Sequence, residues 1–108
     1  MPTLEATKQK VAELVKAKGW PDTPDEIPMK LWFAFIELGE ASQDVKKAQP
    51  KEKIIEELVD VIFYIVHAAR LIDPNADLDE AFEKKLARNY DRPFKYGEPF
   101  RDTFPNGQ

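Results

Sequence analysis

The sequence predicts an all-α fold, a four-helix bundle-like domain built on an antiparallel central helix hairpin. Three observations carry this expectation. Four segments place apolar residues at helical spacing, and glycine- or proline-bearing turn signals separate them. No segment alternates polar and apolar residues as a half-buried strand does. Two acidic pairs, Glu37 with Glu40 and Glu57 with Asp60, keep an i, i+3 spacing, which sets both acids of a pair on one helix face.

The first helix is expected from Thr3, a suitable N-cap, to Lys18, with Gly19 ending it. Its apolar stripe (Leu4, Val11, Leu14, Val15) is sparse, so residues 1–20 are expected to form an outer helix. A loop with three prolines, WPDTPDEIP, follows. The second helix starts near Pro28, a residue suited to a first helical position, and runs to about Lys47. Its opening MKLWFAFI is apolar nearly all round and predicts burial on more than one side. Lys46 and Lys47 suit the negative end of its dipole. The third helix starts at Pro50 and ends near Ile72, and its run of Leu, Val, Ile and Phe marks it as the central helix. DPNAD breaks it, and Asp77 with Glu80 resembles a capping box for the fourth. Leu78, Ala81, Phe82, Leu86 and Tyr90 would give that helix its apolar face, and Pro93 stops it. Residues 28–92 thus form the core region and 93–108 an irregular, aromatic-bearing tail that packs on something, a neighbouring subunit being one choice.

A chain of 108 residues suits one domain, 1–108, and not two. With 43% hydrophobic residues a core is possible, and helices two and three look too apolar for a monomer, so a homodimer or homotetramer is expected. The absence of cysteine excludes disulfides and thiolate metal sites and fits a reducing cytoplasm. MPTLEATKQK lacks the apolar centre of a secretory signal. A net charge of −4 argues against polymeric nucleic acid or a polybasic membrane contact as the partner. The longest uncharged run, Val61 to Ala69, falls far short of the roughly 20 residues that span a bilayer.

The four acids carry the functional reading. An acid inside an apolar stretch is costly unless something neutralises it. Glu37 stands as far before the junction of Ala48 and Gln49 as Asp60 stands after it, and Glu40 and Glu57 are related in the same way. A chain folding back at that junction therefore sets Glu37 against Asp60 and Glu40 against Glu57. Packed helices lie about 8–10 Å apart, so the four carboxylates would converge on a cation between them. Oxygen ligands alone favour Mg²⁺, Mn²⁺ or Ca²⁺ over zinc, and Mg²⁺ binds through a few carboxylates plus substrate phosphates. An ordinary solvated acidic face is the bland alternative; two mirrored pairs within apolar sequence weigh against it. Gly39, between Glu37 and Glu40, costs helix stability and implies either tight helix packing or room for a ligand. Glu56 points away and reads as surface, or as an acid standing behind the ligands.

On the fourth helix Lys85, Arg88, Asn89 and Arg92 share one face. Such cations balance a helix dipole; beside a metal cluster they are also a phosphate-binding set. His67, two turns beyond Asp60, is expected to be buried or interfacial rather than a ligand. Trp32, Phe33 and Phe35 read as core, with Trp32 as the one residue placed to reach a nucleobase.

The motifs E-L-G-E, then E-L-V-D, then K-L-A-R-N-Y-D-R from Lys85 to Arg92 resemble those of the all-α nucleoside triphosphate pyrophosphohydrolases, the MazG-like group. That group's pattern is E-E-x-x-E, E-x-x-D and K-x-x-x-N-x-x-R, and the resemblance covers about Leu31 to Gly97. It implies a helical bundle that pairs into dimers or tetramers and cleaves nucleoside triphosphates between the α and β phosphates with Mg²⁺. Glu37, Glu40, Glu57 and Asp60 would be the metal ligands and catalytic acids; Lys85, Asn89 and Arg92 would hold phosphate or sugar. Water would be the nucleophile. Ile36 stands where the pattern has its first acid, which leaves the four-acid set intact but changes its surroundings. The alternative function is a non-catalytic scaffold or sensor that binds metal and nucleotide through the same acids.

Overall fold

The computed structural model describes residues 3–92, and they are helical throughout apart from short connections. Helix α1 spans Leu4–Lys18, α2 Ile27–Lys46, α3 Lys51–Ile72 and α4 Leu78–Tyr90, with a single 3-10 turn at Pro24–Glu26 before α2. The expected tail, 93–108, lies outside the described residues. Contacts group the chain into two units, Met1–Leu78 and Asp79–Gln108.

In the first unit α2 and α3 form the main packed pair, and α1 packs on α3, which is therefore the central helix as expected. The turn between α2 and α3 pivots at Ala48, whose φ of 56° puts a non-glycine residue in the left-handed region. A side chain there costs roughly 1 kcal/mol. The Gln49 N–H reaches back to the Asp44 carbonyl at 2.9 Å, which supplies a partner for one of the last helical carbonyls. The pivot sits at the mirror junction read from the sequence, so residues equidistant from it meet. The rings of Phe33 and Tyr64 lie 5.5 Å apart. Lys53 Nζ stands 3.6 Å from Asp44 Oδ2. Both pairs obey the same register as Glu37 with Asp60.

Helix α1 begins as its sequence dictates. Thr3 Oγ1 accepts the Ala6 N–H at 3.0 Å, and Gly19, at φ 66°, closes the helix through its N–H on Lys16. Val11 and Val15 bury against Val66, with Leu78 packed beside them. Lys8 is buried and acts as a clip: its Nζ donates to the Ala76 carbonyl at 2.7 Å and pairs with Glu5 Oε1 at 2.9 Å. The same Glu5 oxygen accepts the Leu78 N–H at 2.7 Å. The clip fixes the α3–α4 connection on α1 and supplies an acceptor for an N–H at the start of α4.

The loop after α1 is tied to α3 by Asp22. Its Oδ1 lies 3.1 Å from His67 Nε2 and also accepts from Arg70. His67 is buried, as expected, and its ring is spent on this tie. Helix α2 starts one residue before Pro28, which sits in the first turn.

One expectation fails within the single chain. The opening of α2 is not buried on more than one side: Trp32, Phe35 and Leu38 are exposed, with Phe35 68% open. The reason is geometric: within the first unit, α3 is the α-helix that packs on α2, and it covers one face. Trp32 and Phe35 stack on each other at 5.7 Å between ring centroids. On α3, Ile55, Leu58, Ile62 and Ile65 likewise form an exposed apolar stripe. No helix among the described residues is long and apolar enough to cross a membrane. Helix α4, in the second unit, carries Phe82, Leu86 and Tyr90 exposed along its apolar face.

Candidate functional site

The polar seam of the α2–α3 pair is built by helical spacing. Phe33, Glu37, Glu40 and Asp44 recur every three or four residues along α2, and Lys53, Glu57, Asp60 and Tyr64 do so along α3. Antiparallel packing around Ala48 then aligns the two rows.

Electrostatics show which seam acids sense one another. Glu37 is half-buried, and desolvation pushes its carboxyl above the ordinary range, with Glu40 and Asp60 adding like-charge repulsion. Glu57 is raised as well, first by the neighbouring Asp44 carboxyl, with which it can share a proton, then by desolvation and the charges of Asp44 and Glu40; Lys53 pulls the other way. The Tyr64 hydroxyl is pushed up by burial and by the charges of Glu37 and Asp60. The four predicted acids therefore lie along one line of interaction, Asp60 to Glu37 to Glu40 to Glu57, as the mirrored spacing implies.

They do not close into a cage. Among the described residues, no three acidic or histidine side chains gather tightly enough to hold a metal ion as they stand. The donor chemistry nevertheless suits a hard divalent ion, being all oxygen and mutually repelling. Glu57 Oε2 and Asp44 Oδ2 are shielded from water and lack a hydrogen-bond partner. A proton held between the two carboxyls, or a cation, supplies what each oxygen is missing.

Asp44 and Lys53 were not among the residues predicted for the site. Their signal was present, because they mirror each other across the same junction as the four acids. Two cavities flank the acidic line. One, about 590 Å³, opens toward the turn and is lined by Gly39, Glu40, Asp44, Lys47, Lys53 and Glu57, among others. The other, about 230 Å³, is lined by Leu14, Trp20, Asp60, Phe63 and Tyr64. Trp20, which was not predicted for the site, thus shares a cavity with a predicted acid. Gly39 resolves in favour of space: a Cβ built there meets nothing within 4 Å, so helix packing does not demand the glycine.

Lys85, Arg88 and Asn89 lie exposed on α4, and Arg92, just beyond it, is exposed too, its N–H reaching the Asn89 carbonyl at 3.4 Å. These residues belong to the second unit. Glu56 is exposed, in keeping with a surface role.

No family model, curated protein or solved structure matches this chain.

Two outcomes test this geometry. Gly39→Ala is expected to stabilise the protein by about 0.5–1 kcal/mol, since alanine favours a helix interior and finds no obstacle here. A loss of stability in chemical denaturation would mean that the helices crowd that position. Glu37→Gln addresses the raised carboxyl. Because the folded protein holds this proton more tightly than the unfolded chain, the contribution to stability is complete below the unfolded-state value and is lost as pH rises through the folded-state value. With chelator present at about pH 8, the glutamine variant should therefore melt above the parent. The difference should fade as pH falls into the ordinary carboxylate range, and a variant that melts below the parent at pH 8 contradicts the assignment.

Proposed function

We propose that this chain is a Mg²⁺-dependent nucleoside triphosphate pyrophosphohydrolase, with Mn²⁺ as a competent substitute, releasing nucleoside monophosphate and pyrophosphate. One observation carries the reading: acids from two antiparallel helices lie along a single seam, repel one another, and leave buried carboxylate oxygens without hydrogen-bond partners. A structural helix interface gains nothing from such an arrangement. A site that receives cations and phosphates does.

On this reading Glu37, Glu40, Glu57 and Asp60 hold the divalent ions. Bound there, such ions neutralise phosphate charge and polarise the phosphoryl oxygens. The chain's own groups do the rest. One of the four acids would take the proton of the attacking water. A bond forms from water oxygen to the α-phosphorus, and the bond to the bridging α–β oxygen breaks. The aromatic cavity of Trp20, Phe63 and Tyr64 beside Asp60 offers the apolar wall a nucleoside needs. Lys85, Asn89 and Arg92 remain the proposed second group of phosphate or sugar ligands, from α4 and its end.

We propose further that the working form is a homodimer or homotetramer. Support comes from the exposed apolar faces of α2 and α3, where Phe35, Leu38, Ile55, Ile62 and Ile65 are each half or nearly half open or more. Contiguous apolar surface of that kind marks an interface.

The catalytic proposal is tested by Asp60→Asn and Glu57→Gln. Either should lower pyrophosphate release by at least about 10²-fold, the scale expected on losing a charge-stabilising group, while the far-ultraviolet helical signal is kept. Equal turnover in variant and parent rejects these roles. Tight binding of Mg²⁺ and triphosphate with no monophosphate formed over hours would make the chain a sensor instead. The assembly is tested by light scattering after size exclusion. A mass of two or four times 12.5 kDa is expected for the parent, and Phe35→Glu should shift it toward the monomer. A parent that is monomeric at tens of micromolar would overturn the assembly.

A further inference from the structure

We propose that the cavity at the turn end of the α2–α3 hairpin is the subsite for the pyrophosphate half of the substrate, with Lys47 and Lys53 as its phosphate ligands. The inference rests on the hydrolase reading and adds the direction in which the triphosphate lies along the seam.

The first ground is the grading of charge along the seam. At the level of Glu37 and Asp60 no cationic side chain of the hairpin is paired with the acids. Nearer the turn the composition changes, and Lys47 and Lys53 join Glu40, Asp44 and Glu57 around a space of about 590 Å³. That volume lies within the range of ordinary small-molecule sites. The missing Cβ of Gly39 adds room on the same wall.

The second ground is the placement of the lysines themselves. Lys46, Lys47, Lys51 and Lys53 all flank the turn, yet only Lys47 and Lys53 line the cavity. Lys47 follows α2 and complements its dipole, so by itself it would need no explanation. Lys53 does. It lies in the first turn of α3, at the positive end of that helix, where a cation is disfavoured. Its ion pair, with Asp44 Oδ2, is 3.6 Å long, beyond a good hydrogen bond, and Glu57 one turn on feels its charge without an ion pair to it. Lys47 has no ion pair among the described residues. Both ammonium groups therefore have donors to give to a ligand that brings its own negative charge.

The third ground is chemical direction. Charge builds on the leaving group as the α–β bond breaks, and the leaving group here is pyrophosphate. Lysine is a compact positive charge suited to phosphate oxygens. Placing it beyond the acids, on the side away from the Trp20 cavity, stabilises the group that departs. The apolar end beside Asp60 is left for the nucleoside. The chain would thus read its substrate from base to γ-phosphate in the direction from the Trp20 loop to the Ala48 turn.

The test uses the full chain and inorganic pyrophosphate with Mg²⁺ as the probe, followed by calorimetry. The parent should bind it. Lys47→Gln and Lys53→Gln should each weaken binding about tenfold, the loss expected for one charge-assisted contact, while Lys46→Gln and Lys51→Gln should leave it unchanged. Pyrophosphate should also become a correspondingly weaker product inhibitor of triphosphate hydrolysis. Lys53→Arg should restore binding. The Lys47 side chain makes no hydrogen bond or ion pair among the described residues, so its variant keeps the test decisive even where Lys53→Gln loses stability. Unchanged binding in the Lys47 and Lys53 variants, in a parent that turns over triphosphate, overturns the subsite and spares the hydrolase reading. Equal weakening by all four substitutions shows diffuse charge attraction and overturns it too. A parent that neither binds pyrophosphate nor hydrolyses triphosphate removes both.

Discussion

The antiparallel register of α2 and α3 is the constraint on which the rest of the molecule depends. Once the chain turns at Ala48, every residue of one helix has its opposite number fixed in the other, and the rows Phe33–Glu37–Glu40–Asp44 and Tyr64–Asp60–Glu57–Lys53 must face each other. In most helix hairpins that line is apolar and supplies the stability of the pair. Here it holds five acids and one lysine. Of the chain's twenty acidic and sixteen basic residues, those six removed leave fifteen of each sign. The acid excess of the protein thus equals that of these two rows, and the other charged residues of the sequence balance. Net charge in this chain describes a place more than a surface.

A seam of that composition adds little apolar burial to the hairpin, whose buried residues on α2 are the small Ala34 and Ala41. The buried apolar cluster sits elsewhere, where Val11 and Val15 of α1 meet Val66 of α3. The tie from Asp22 to His67 and Arg70 and the clip from Lys8 to Glu5 and Ala76 hold the connections rather than the α2–α3 contact. Meanwhile large side chains on the outer faces of the same two helices stay open to solvent. The two facts are complementary. A hairpin whose inner line is polar, and whose outer faces are apolar, gains by covering those faces with another protein surface. The proposed self-assembly would supply burial that the seam cannot, at about 25 cal/mol for each Å² of apolar area covered.

Much of this was legible in the sequence, for reasons that differ from residue to residue. Helix ends marked by backbone chemistry came through: Thr3 as a cap, Gly19 as a left-handed terminator, Pro50 before α3. The hairpin register came through because mirrored spacing leaves one way to pair the acids. Burial of the α2 opening did not, because an apolar stretch declares that it will be covered but not by what, and within one chain α3 covers a single face. Trp20 and Tyr64 were missed as cavity residues because loop packing depends on the Asp22 tie, which links positions 45 residues apart. Asp44 and Lys53 were missed for a weaker reason: neither stands within an acidic pair at i, i+3 spacing, although the mirror relation already pairs them. Gly39 was ambiguous until its surroundings showed open space.

The seam also explains why its two ends need different partners. Like charges held together on facing helices are relieved by protons, by side-chain cations or by ions from solution. At the turn end the chain supplies its own relief: Lys53 lowers the proton affinity that Asp44, desolvation and Glu40 would otherwise impose on Glu57. Around Glu37 it supplies none that registers; burial, Glu40 and Asp60 all push in the same direction. An outside cation therefore relieves the most strain at the level of Glu37 and Asp60, whereas at the turn end the lysines leave room for an anion once the carboxylates are neutralised. A ligand that is cation-bound in its middle and anionic at one end is matched by that gradient, and a bare metal ion or a bare phosphate uses only half of it. The asymmetry follows from where one lysine sits in a register set by one turn.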